Sequence, residues 1–229
     1  AEAKAIGALA KAGFRPRRTL VYAAWDGEEP GLLGSTEWAE THLAELREKA
    51  VAYLNTDSVT RGFLQAAGSH SLERLVNEVG RSVLDPEHAV PVLERTRAAG
   101  IANGDDKARE RLRAKSDLRI GAPGFDYVAK AAEVNGRLTL RLSEAEVLPF
   151  TLDRTAEAIA DYATELRDLT DELRQASEER ERLLADNSLV LAADPQQTFV
   201  APPALDRVPF LEFAPLQNAV ALFVKAAGG

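Results

Sequence analysis

The sequence has no cysteine, which excludes disulfides and thiolate metal sites outright. Histidine is scarce: His42, His70 and His88 are the only three, so a bound metal would have to rely on carboxylates and a few imidazoles. No run of about 18 apolar residues occurs, and nothing in the residues shown is expected to span a membrane. Basic charge is in deficit, with 28 Lys and Arg against 36 Asp and Glu and a net charge of -8. That balance argues against a nucleic-acid partner, because a polyanion needs a basic face. What remains is a chain of 229 residues, 45 % of them apolar. This is enough to bury a real core in one large domain or two small ones.

The chain opens on Ala1–Gly13, Ala-rich and ending at Gly13 before Arg15-Pro16. It reads as the later turns of a helix, and an upstream part is expected to precede it. Thr19–Trp25 (TLVYAAW) and Val51–Asn55 (VAYLN) are short apolar runs with the length of buried parallel strands. Between them, Gly31–Ser35 reads as a loop and Thr36–Ala50 as a helix, through Ala39, Leu43, Leu46 and Ala50. Strand, loop, helix and strand make a right-handed βαβ unit. Ser71–Leu84 is an amphipathic helix with Leu72, Leu75, Val76, Val79 and Val83 on one face, followed by Pro86 and Pro91. Asp105–Lys115 reads as a solvated helix or loop. Phe125–Leu142 is helical again, through Val128, Ala132 and Leu138.

A long helix follows, about Leu152 to Leu184. Its seam of Ile159, Tyr162, Leu166, Leu169, Leu173, Ala176 and Leu183 steps by three and four, so it is expected to pack along its length against other helices. The charge run Glu178–Arg182 fits its solvated face. Asp194–Pro215 reads as a Pro-rich extended connector, and Leu216–Ala227 as a last helix. The predicted fold class is α/β with a mainly parallel sheet, followed by a helical-bundle domain.

Glu28 and Glu29 stand just beyond the carboxyl end of the first predicted strand, the edge where open α/β sheets form their sites. Two adjacent carboxylates repel unless a cation or a raised pKa accommodates them. A metal hydrolase meets both needs: one carboxylate binds the ion, and its neighbour takes a proton from water. Asp57 ends the second predicted strand. Neighbouring strands lie about 4.8 Å apart, so it could reach the same ion. Taken alone, these residues read more readily as solvated acids and a turn cap.

The wider string is more specific. Arg15–Ser35 (RPRRTLVYAAWDGEEPGLLGS) and Ala52–Ser58 (AYLNTDS), with the spacing between them, closely resemble the zinc-dependent exopeptidases of the glutamate carboxypeptidase, aminopeptidase and transferrin-receptor family. The resemblance continues through Glu146–Phe150 (EVLPF). It implies a zinc-peptidase domain over residues 1–148 and a helical, transferrin receptor-like dimerisation domain over 149–229. It also implies a dinuclear-zinc exopeptidase acting on a peptide substrate near a chain end. Glu28 would be the general base, Glu29 a ligand of one zinc and Asp57 a ligand of the other. Pro30 departs from the family, which has an apolar or aromatic residue there.

The resemblance further implies a homodimer that is exported or membrane-anchored. The family's remaining ligands, a His and a bridging Asp upstream and a second His downstream, have no counterpart here. His42, His70 and His88 read instead as surface or capping histidines. Asp117–Ala122 (DLRIGA) and Pro123–Phe125 resemble family segments some tens of residues apart, so residues are expected to be absent between 122 and 123. The alternatives are a non-catalytic, transferrin-receptor-like binding protein and a helical dimerisation module. Receptors of that kind lose the metal carboxylates, whereas Glu28, Glu29 and Asp57 all stand here.

Overall fold

The computed structural model describes residues 1–56, 62–64, 66–114 and 128–228. The chain divides into two units, Ala1–Thr151 and Leu152–Gly229.

The first unit begins with helix α1 (Glu2–Lys11), which ends at Gly13 with φ +99°, a conformation that suits a residue without Cβ. Helices α2 (Leu33–Thr41) and α3 (Leu43–Lys49) follow, and then α4 (Glu73–Ser82), entered through a single 3-10 turn at His70–Leu72. Next come α5 (Val92–Asn103), α6 (Asp106–Ala114) and α7 (Val128–Glu144). The core lies where α4, the segment leading into α5, and α7 converge. Leu75, Val79 and Val83 meet Leu64, Val92, Val134, Leu138 and Leu142 there. Val79 and Val83 are fully enclosed, and burying each stabilises the unit by about 1.5–3 kcal/mol. The predicted apolar face of Ser71–Leu84 is thus the face that is buried.

No sheet forms among the described residues. Among the described residues there is no strand, only an isolated antiparallel bridge between Leu84 and Pro91, and this overturns the expected α/β fold with its parallel sheet. Thr19–Trp25 and Val51–Asn55 are extended but unpaired. Val21 and Tyr53 are each 69 % exposed, where a central parallel strand would bury both faces. The physical reason is that an apolar run becomes a strand only by ladder hydrogen bonds to a neighbour, and its own pattern cannot supply the neighbour. Side chains of α1 and α7 reach the first run and the residue just after the second. Asn135 donates to the Thr56 hydroxyl. Glu2 accepts from both Thr139 and Tyr22, at 2.9 and 3.2 Å. Partial burial of Tyr22, together with the Glu2 carboxylate, pushes its phenol up to about 12.

Other expectations shift by smaller amounts. The helix predicted over Thr36–Ala50 is two helices that break at His42. The acidic and basic stretch before 115 is helical as α6, and α5 is a helix that the sequence pattern did not signal. Asp57, the start of the Phe125–Leu142 helix and the 122/123 junction lie outside the described residues.

The second unit holds α8 (Asp153–Ala185), the short α9 (Ser188–Leu191) and α10 (Ala214–Ala227). α10 packs along α8. The side chains of α8 that become buried are small: Ala156, Ala158, Ala163, Thr170 and Ser177. Small side chains let helix axes come close. The predicted seam lies beside them, and Tyr162, Leu166, Leu169 and Leu173 are each about half exposed. The helix does pack against α10, as expected, with the larger side chains of its seam left partly open. Residues 194–213 form a strap without helix or strand, opening on a turn in which Gln197 donates to the Asp194 carbonyl at 3.1 Å. Arg174 donates to the Pro209 carbonyl at 3.1 Å, and Ser177 and Arg180 to the Asp206 and Pro203 carbonyls at 3.5 Å each. Among the described residues no helix is long and apolar enough to cross a membrane.

Candidate metal-site loop

The loop that carries Glu28 and Glu29 is positioned from two sides. Upstream, Arg18 donates to the carbonyls of Leu142 and Ala145 at 2.9 and 2.7 Å. It thereby places a cation at the carbonyl-rich end of α7, where positive charge is favoured. This fixes the start of the extended run Thr19–Trp25, which delivers the chain to Asp26. Downstream, the chain enters α2 at Leu33.

Between those points the backbone folds on itself. Gly31 and Leu32 both donate to the Glu28 carbonyl, at 3.0 and 2.8 Å. Leu33 donates to Gly27 at 2.9 Å and Gly34 to Asp26 at 3.1 Å. Closing so tight a turn requires positive φ at Gly27 (+58°), Gly31 (+127°) and Leu32 (+58°). The two glycines adopt this without cost. Leu32 has a Cβ, so the same conformation costs about 1–2 kcal/mol there, and strain of this kind gathers at ligand-binding segments. Gly34 is needed for another reason. A Cβ on it would lie 2.8 Å from the Asp26 carbonyl oxygen and 3.2 Å from the Asp26 nitrogen.

Glu28 and Glu29 sit exposed at the tip of this turn. Their side chains make no hydrogen bond or ion pair with any described residue. Two neighbouring carboxylates without a cation are open to one, and in this the donor chemistry fits a metal. The fit goes no further among the described residues, where no group of three or more His, Asp or Glu could hold an ion. Asp57 lies outside those residues. The histidines behave as expected. His70 pairs with Glu73 at 3.1 Å and His88 with Asp85 at 3.2 Å, each bracing its own turn.

His42 does more than cap. Its ring stacks on Trp38, with centroids 4.4 Å apart and planes 23° from parallel. Trp38 in turn meets Trp25 at 5.4 Å and 51°. The four-residue spacing of Trp38 and His42 puts them on one helix face, a signal present in the sequence. Nothing local indicates that Trp25 reaches them.

With this geometry in place, comparison with known proteins gives a consistent answer. Residues 3–107 match peptidase family M28. The chain is 30 % identical over 203 residues to a probable glutamate carboxypeptidase, VP8, of Zea mays, covering 73 % of this chain and 28 % of that protein. It is 46 % identical over 85 residues to a probable glutamate carboxypeptidase of Arthroderma benhamiae, covering 37 % of this chain and 12 % of that one. It is 26 % identical over 211 residues to transferrin receptor protein 2 of Homo sapiens, covering 75 % and 26 %. The chain thus spans less than a third of the length of these curated relatives.

Proposed function

Because residues 3–107 match peptidase family M28, we propose that the chain forms part of a zinc-dependent exopeptidase, of carboxypeptidase or aminopeptidase type, that cleaves a peptide bond near a chain end. The observation that carries this reading is the Glu28–Glu29 pair: adjacent carboxylates, held on a strained turn and free of any described cation. Such a pair is suited to divide two tasks. Glu29 holds the metal, with Asp57 as a further ligand, and Glu28 remains free for proton transfer. Bound zinc supplies Lewis acidity, which eases the loss of a proton from water. Glu28 takes that proton as the water oxygen bonds to the scissile carbonyl carbon. It then gives the proton to the amine nitrogen as the C–N bond breaks. Two zinc ions, a homodimeric assembly and an exported or membrane-anchored location belong to the same proposal.

The test uses the full-length protein. Glu28→Gln is expected to keep its zinc, by elemental analysis, and to lose roughly 10²–10⁴-fold in kcat, the span of a general base. Retention of wild-type turnover would remove Glu28 from that role. Asp57→Ala is expected to lower zinc content.

The match to transferrin receptor protein 2 supports a second reading, a binding protein without turnover. A zinc-loaded wild type that releases no residue from either end of any peptide in a mixed library would favour it.

A further inference from the structure

The chain has two tryptophans, and both belong to the stack Trp25–Trp38–His42 beside the carboxylate turn. The two indoles lie at opposite ends of that turn: Trp25 immediately precedes Asp26, and Trp38 projects from α2, the helix into which the turn leads. A packing role in a hydrophobic core does not explain them. Neither α2 nor α3 contains a single buried residue, so neither helix adds a fully buried side chain to the core. Two things hold it to the turn: the backbone bonds from Gly31–Gly34 back to Asp26–Glu28, and the aromatic stack. The stack is itself anchored. His42 Nδ1 lies 2.8 Å from the Trp38 carbonyl. A carbonyl can only accept, so Nδ1 carries the hydrogen and the ring is held in one orientation over the indole.

The side chains of Glu28 and Glu29 make no hydrogen bond or ion pair with a described residue, so their placement follows the backbone that bears them. If the carboxylates are to meet a cation and a water in a set geometry, the two ends of the turn must keep a set separation. We propose that Trp38 and His42 are positioning residues for the Glu28–Glu29 pair. They clamp α2 onto Trp25, and so tie together the two ends of the turn in addition to its backbone hydrogen bonds. The proposal rests on the peptidase reading and adds to it a device outside the metal shell.

The experiment compares full-length wild type with Trp38→Ala, Trp38→Phe and His42→Ala. Zinc affinity is measured by competition with a chromophoric chelator, and kcat and KM are measured separately. Near-ultraviolet circular dichroism reads the stack directly, since both tryptophans lie in it. Trp38→Ala is expected to lose roughly threefold to tenfold in both zinc affinity and kcat, the range one aromatic pair supports, with KM within about twofold. Trp38→Phe keeps a stacking ring and is expected to recover most of both. His42→Ala, which removes only the outer ring, is expected to fall between wild type and Trp38→Ala. Should Trp38→Ala fail to fold, the comparison of Trp38→Phe and His42→Ala with wild type decides. The proposal is overturned if folded Trp38→Ala, or His42→Ala, keeps wild-type zinc affinity and kcat. It is also overturned if Trp38→Phe, with its native fold, is no better than Trp38→Ala. A wild type that binds no zinc and cleaves no peptide refutes the peptidase reading; one that does both while Trp38→Ala matches it refutes the positioning role alone.

Discussion

Replacing Asp85 by Asn would remove one negative charge from a loop where four donors converge. Oδ1 accepts from the backbone nitrogens of Glu87 and His88, at 3.0 and 2.9 Å, and from His88 Nδ1 at 3.2 Å. Oδ2 accepts from Arg95 at 2.5 Å. The Asp85 side chain is only 3 % exposed and that of Arg95 17 %. Burial alone would raise the Asp85 pKa. The hydrogen bonds from Arg95, His88 and Glu87 outweigh it and bring the group from 3.8 down to about 2. At 1.36 kcal/mol per pH unit this depression stabilises the fold by about 2 kcal/mol.

The sign follows from the direction. A carboxyl whose folded pKa is depressed contributes fully above its unfolded value, near 4, and the contribution fades as pH falls towards 2. Asp85→Asn also leaves Arg95 facing an amide in a mostly enclosed place. Arg95 keeps Glu87 at 3.6 Å and the Phe63 ring at 5.0 Å, so the total loss at neutral pH is expected at about 2–4 kcal/mol. Urea denaturation of wild type and variant at neutral pH, at pH 4 and at pH 2 would measure it. The gap between the two proteins should narrow by about 2 kcal/mol from neutral pH to pH 2. A gap that stays constant would refute the claim that the ionised carboxylate is what the loop binds.

Two further outcomes are expected. Gly34→Ala forces a methyl against the Asp26 backbone, at 2.8 Å from its carbonyl oxygen. It should cost about 1–3 kcal/mol and reduce zinc uptake by the full-length protein, both read in one calorimetric titration series. Leu166→Glu together with Leu169→Glu places charge on the half-exposed seam of α8. If that seam joins two copies, light scattering should show the full-length dimer shifting to monomer, and an unchanged mass would place the dimer contact elsewhere.

What the sequence revealed followed the physics of each signal. Three- and four-residue periodicity is local, so the helix read over Leu152–Leu184 appears as Asp153–Ala185, and Leu216–Ala227 as Ala214–Ala227. Helix α5 escaped notice because VLERTRAAGIAN carries no stripe; only Val92 and Leu93 are buried in it. Its one local cue was Pro91 ahead of the first turn, with Glu94 inside that turn. The strands failed because pairing is not a property of the run that pairs. The seam of α8 was legible as a stripe, but not that Tyr162, Leu166, Leu169 and Leu173 on it stay about half exposed, since periodicity does not say how fully a face is covered. At the site, the turn was legible from its glycines and its paired acids. The aromatic clamp was not, because Trp25 and Trp38 meet across it and no sequence period links them.

The strap over residues 194–213 has a consequence for how this segment can drift. Arg174, Ser177 and Arg180 grip it through the main-chain carbonyls of Pro209, Asp206 and Pro203, and every amino acid carries such a carbonyl. Apart from Arg207, which pairs with Glu181, the strap is recognised by its shape rather than by its side chains. The information that seats it is therefore written in α8. Across related chains the strap should be free to change its letters while the three donors hold theirs, and an alignment would show a constant helix face beside a variable neighbour.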